Sequence, residues 1–68
     1  MNYHKAFATI ETNIGTMTFY YNGPGQSMTA EHGDIVDELD YVPVSFKDAI
    51  ESIHMMYSYG PWDLEWLE

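Results

Sequence analysis

The sequence predicts an α+β fold: a small antiparallel three-stranded sheet with two helices packed on one face, in the order β-β-α-α-β. Three observations carry that expectation. Apolar and polar residues alternate on both sides of Asn13-Ile14-Gly15, a helical period runs from Phe46 to Tyr57, and alternation returns in the tail from Trp62.

The first strand spans Tyr3 to Thr12, with Ala6, Ala8 and Ile10 on one face and Phe7, Thr9 and Glu11 on the other. Asn13-Ile14-Gly15 reads as a hairpin loop, because Gly15 can take the positive φ such loops demand. The second strand, Thr16 to Tyr21, sets Met17, Phe19 and Tyr21 against Thr16, Thr18 and Tyr20. β-Branched and aromatic residues fill it, as a half-buried pleated surface prefers. Asn22-Gly23-Pro24-Gly25-Gln26 then takes the chain out of the sheet.

From Thr29 to Asp40, the spacing of Ile35, Val36 and Leu39 predicts a first helix, with Asp34 and Asp37 near its N-terminus and Gly33 limiting how early it starts. A second helix follows Ser45-Phe46-Lys47-Asp48, a capping-box pattern with Asp in place of Glu or Gln, and Val44 is placed to staple onto Ala49. Phe46, Ala49, Ile50, Ile53 and Tyr57 form its apolar stripe, and Gly60-Pro61 ends it. In the tail, Trp62, Leu64 and Trp66 alternate with Asp63 and Glu65, which reads as a third strand; a short helix from Pro61 is the alternative.

A chain of 68 residues makes a single domain, 1–68, with no linker or internal repeat. Two lysines against eleven acids leave a net charge of −9, while hydrophobic residues reach 46% and aromatics 16%. That is too apolar for a disordered acidic tail, so a core is expected. At about 1.5 kcal/mol of conformational entropy per ordered residue, a core this small must be rich in aromatics to hold. No apolar run approaches the roughly 20 residues of a membrane span, and the start lacks the order of a signal peptide. The absence of cysteine removes disulfides and thiolate chemistry. So few cations argue against direct contact with nucleic acid or an anionic membrane. A cytoplasmic setting is expected.

Chemistry finds little purchase. His4, His32 and His54 lie on three segments without the local spacing of a zinc site. The acids around Asp34 to Asp40 lack the alternating ligands, glycine and terminal Glu of a calcium loop. No phosphate cradle, dinucleotide fingerprint or nucleophile elbow is present. The expectation is a protein that is not an enzyme and carries no metal or cofactor.

Charge is the informative pattern. Glu31, Asp34, Asp37, Glu38, Asp40, Asp48 and Glu51 crowd one stretch, opposed there by Lys47 alone. On a helix, neighbouring acids of one face lie about 5–6 Å apart, close to the spacing of phosphates along a strand. Such a face suits a groove lined with Lys and Arg. The alternative is an ordinary solvated face. With Tyr41, these acids are the candidate partner-binding residues; Tyr20, Tyr21, Tyr41 and Tyr59 are candidate aromatic anchors.

Phe19-Tyr20-Tyr21 running into Gly25-Gln26, an acidic first helix, Tyr41-Val42-Pro43-Val44 and Glu65-Trp66-Leu67 together resemble small acidic phage anti-CRISPR proteins of the β-β-α-α-β kind, similar to type I-F inhibitors. The resemblance implies an inhibitor that acts as a DNA mimic on the recognition surface of a CRISPR effector in the host cytoplasm, through the acids from Glu31 to Asp40. Two other readings stand beside it. One is an inhibitor of host RNA polymerase or another DNA-binding protein. The other is a small acidic structural protein that dimerises through Met55-Met56-Tyr57 with Trp62 and Trp66.

Overall fold

The computed structural model of the chain describes residues 4–57 and 63–67. Along them run β1 (Lys5–Thr12), β2 (Gly15–Tyr21), β3 (Thr29–His32), β4 (Ile35–Glu38), α1 (Phe46–Tyr57) and β5 (Asp63–Trp66). The strands form one antiparallel sheet in the order β4-β3-β2-β1-β5, with α1 against one face. This corrects the expected architecture. A five-stranded sheet with one helix replaces three strands with two helices.

The β1–β2 hairpin turns through Asn13 and Ile14 into Gly15, whose φ of +125° excludes most side chains. Thr12 fastens the turn: its Oγ1 donates to Gly15 O at 2.6 Å and accepts from Ile14 N at 3.2 Å. Met17, Phe19 and Tyr21 lie on the core side, as their alternation predicts. β1 departs from simple alternation. Ala6 pairs with Tyr20 but Ala8 pairs with Phe19, so Phe7 is the extra residue of a β-bulge. One inserted residue reverses the parity of everything beyond it. Phe7 and Ala8 are therefore both buried, and Ala6 leaves the face it was expected to share with Ala8 and Ile10.

The predicted first helix is the main error. Thr29 to Asp40 forms the β3–β4 hairpin, with Thr29 opposite Glu38 and His32 opposite Ile35. Gly33 has φ +62°, and no residue other than glycine has a positive φ among the described residues. A glycine at the first of two central positions, followed by a residue of negative φ, is the type II′ hairpin turn. Ile35 and Val36, read as part of a helical stripe, are β-branched residues well suited to a strand. Each is 59% exposed, so no buried helical face exists there.

α1 follows its prediction closely. Asp48 N donates to Ser45 Oγ at 3.1 Å, and Ala49 N donates to Ser45 O at 3.1 Å. The Asp48 carboxylate reaches back one residue further than a capping box, accepting from Val44 N at 3.0 Å and from Tyr41 Oη at 2.8 and 2.9 Å. The proposed staple is absent, since Val44 is 76% exposed. Ala49 and Ile53 are buried, and Phe46, Ile50 and Tyr57 pack at their flanks.

The core is a layer of rings between helix and sheet. Phe46 meets Phe7 edge-on at 5.8 Å and Tyr21 at 5.3 Å, while Tyr57 meets Phe19 at 5.2 Å. Lys5 Nζ sits 5.0 Å above the Phe46 ring. β5 completes the sheet by pairing with β1, Ile10 opposite Leu64 and Ala8 opposite Trp66. The tail is a strand over Asp63–Trp66, not the alternative helix. Tyr3, the Gly60-Pro61 stop, Trp62 and Tyr59 lie outside the described residues. No helix among the described residues is long and apolar enough to cross a membrane.

Candidate partner-binding surface

A sheet with its helix on one side leaves the other side to solvent, and the strand registers decide what appears there. Starting from Thr9, the pairs Thr9–Thr18, Thr18–Glu31 and Glu31–Val36 place these four residues on the open face. The pairs Thr9–Glu65 and Glu11–Asp63 add acids at the opposite end, and Thr29–Glu38 adds another beside Tyr20. The result is a field of threonines bordered by Glu11, Asp63 and Glu65 on one side and by Glu31 and Glu38 on the other. All of these acids are exposed except Glu31, which is half-buried. Neither lysine of the chain lies here: Lys5 turns to the helix side and Lys47 is on α1.

Neighbouring strands lie about 4.8 Å apart, and alternate residues of one strand about 6–7 Å apart. The open face therefore carries its carboxylates in two groups, Glu11, Asp63 and Glu65 across β1 and β5 and Glu31 and Glu38 across β3 and β4, with threonines between them. Glu11 and Asp63 are direct cross-strand neighbours, a like-charge pairing that costs stability. Thr16 Oγ1 donates to Glu11 Oε1 at 2.6 Å.

His4 marks one corner. Its ring stacks on Tyr20 at 4.1 Å, with planes 4° apart. Nδ1 lies 2.8 Å from Asn22 Oδ1 and Nε2 lies 3.1 Å from Glu31 Oε2. Asn22 is itself held, since its Nδ2 donates to Ser27 O at 3.0 Å and to Thr29 Oγ1 at 3.1 Å. The Glu31 carboxylate is thus oriented, not free to sweep.

The candidate residues named from sequence separate into different places. Glu31 and Glu38 stand on the open face. Asp37 pairs with Ala30 and so belongs to the helix side of β4, Asp34 sits in the Gly33 turn, and Asp40 follows the strand. Asp48 and Tyr41 are brought together, but as the N-terminal brace of α1. Glu51 is exposed on α1. The single acidic helix face on which phosphate-like spacing rested does not exist. Of the candidate anchors, Tyr21 is buried, Tyr20 is stacked under His4, and Tyr41 is tied to Asp48.

Sequence reasoning missed Glu11, Asp63 and Glu65. Their alternation with Ile10, Leu64 and Trp66 was visible, but only the β1–β5 pairing places them beside one another. Among the described residues no group of three His, Cys, Asp or Glu side chains is arranged to hold a metal. His32 Nε2 lies 3.1 Å from Ile14 O, and His54 stacks 6.4 Å from Trp66, so the three histidines occupy separate regions. A shallow open depression lies between the two hairpin turns, lined by Ile14, Gly15, Thr16, His32, Gly33, Asp34 and Ile35.

The chain matches no family model, no curated protein and no solved structure.

Proposed function

We propose that this chain is a non-enzymatic inhibitor that works by occupancy, offering its acidic surface to a protein with a basic nucleic-acid-binding groove. The observation that supports it most is the open sheet face, which carries Glu11, Glu31, Glu38, Asp63 and Glu65 and neither of the two lysines. Two groups of carboxylates on one face offer negative charge as phosphates do, and the net charge of −9 steers encounter with a cationic groove. A CRISPR effector subunit in a host cytoplasm, met by a phage or mobile-element protein, is the partner that the sequence resemblance suggests. A host RNA polymerase or other DNA-binding protein would present the same chemistry.

The test is competition. A purified CRISPR effector should lose target-DNA binding as this protein is added, and the inhibition should weaken steeply with salt. Two triple variants locate the surface. Glu11→Lys with Asp63→Lys and Glu65→Lys reverses the acids that only the open face brings together, while Asp34→Lys with Asp37→Lys and Glu38→Lys reverses the hairpin acids. Loss of inhibition with the first supports the sheet face, and retention with both at moderate salt overturns mimicry. Exposed Met55 and Met56, at 73% and 44%, favour the second reading of a homodimer. Such a dimer would survive high salt, but Tyr57 and Trp66 are half-buried against the core and offer it only part of their surface.

A further inference from the structure

We propose that the outer edge of β4 accepts a strand from a basic protein partner, an extended segment in which Lys or Arg alternates with aliphatic residues. β4 ends the sheet, and all four of its residues are exposed. Leu39 N donates to Met28 O at 2.9 Å, one step beyond the Thr29–Glu38 pair. Antiparallel bonding alternates, so Asp37 and Ile35 direct their backbone groups at β3, while Val36 and Glu38 direct theirs away from the sheet. Those outward N–H and C=O groups are the template for one more strand.

Edges of this kind are ordinarily blunted by charged side chains, lysine above all, by proline or by a bulge. β4 has no lysine or proline and its register with β3 is unbroken; its two charges, Asp37 and Glu38, repel another acidic edge and leave the backbone open to a cationic one.

Charge selects the occupant. Glu38 lies on the open side of β4 beside Glu31, which is paired with Val36, and Asp37 lies on the helix side with Asp34 and Asp40 adjoining in the chain. An added strand would meet a carboxylate and an aliphatic side chain on each face, Asp37 with Ile35 and Glu38 with Val36. A second copy would bring its own Asp37 and Glu38 and another −9 into the same ladder. A cationic strand neutralises what a second copy would double. The inference stands apart from the mimicry reading, which rests on side chains of the open face and not on the backbone of β4.

The probe is a short synthetic peptide alternating lysine and valine, followed by fluorescence anisotropy. A control peptide of the same sequence is N-methylated at alternate residues, which keeps every charge and removes the donors of one edge. The first should bind, and the control should bind at least about tenfold more weakly. Val36→Pro removes an outward N–H that β3 does not use, and should weaken the first peptide by a similar factor. If proline disturbs the hairpin, Asp37→Lys with Glu38→Lys replaces it and should also weaken binding. Equal binding of the two peptides, or amide shifts confined to Glu11 and Glu65, would overturn the proposal. So would a concentration-dependent dimer abolished by Val36→Pro, which would make the occupant a second copy.

Discussion

Asp48 shows how one acid can be removed from the pool available to a partner. Its carboxylate accepts from Val44 N and from the Tyr41 hydroxyl, and its N–H is held by Ser45 Oγ. These bonds satisfy donors that the start of α1 would otherwise leave open, beside the positive end of the helix dipole. Asp48→Ala should cost about 1–2 kcal/mol in urea denaturation, and Tyr41→Phe about half as much. A silent Asp48→Ala would return the residue to the surface acids. Glu51, one turn on and exposed, is the control whose replacement should stay within about 0.5 kcal/mol.

At the level of elements, the sign of a substitution separates a hairpin from a helix at residues 29–40. Gly33→Ala would favour a helix by about 1 kcal/mol if residues 29–40 were helical. In a type II′ turn the same change forces a side chain to φ +62° and costs about 1–2 kcal/mol. A Cβ there meets nothing within 4 Å, so the effect is purely one of backbone. Thermal denaturation reads the sign directly, and stabilisation would sink the hairpin. In α1, Ile53 is buried and Met55 is exposed. Ile53→Ala should cost about 2–5 kcal/mol and Met55→Ala less than about 0.5 kcal/mol.

Across the whole molecule, an aromatic core works against self-repulsion. Phe7, Phe19 and Tyr21 interleave with Phe46, Tyr57 and Trp66, a large apolar area for so short a chain. Around it, a net charge of −9 disfavours the compact state. Raising ionic strength from about 0.01 M to about 0.15 M shortens the Debye length from about 30 Å to about 8 Å, so the melting temperature should rise. A flat or falling response would mean that repulsion contributes little to stability. Partner binding through the acidic face should move the other way, weakening over the same range.

Sequence alone dictates the local elements whose signals agree with one another. Gly15 between two alternating runs is enough for the first hairpin, and Ser45, Asp48 and the stripe from Phe46 to Tyr57 are enough for α1. It also determined the charge, since two lysines cannot balance eleven acids in any fold. Tertiary structure decided the rest. Ile35, Val36 and Leu39 satisfy a helical spacing as well as a short strand, and only pairing of Thr29–His32 with Ile35–Glu38 resolves them. The parity of β1 turns on one bulged residue, Phe7, which no local pattern announces. The acidic face was beyond sequence reasoning for the same reason. Glu11 and Asp63 are far apart in the chain, and register alone makes them neighbours. Period and turn chemistry act over a few residues, whereas a sheet face is assembled from strands that meet only when the chain has folded.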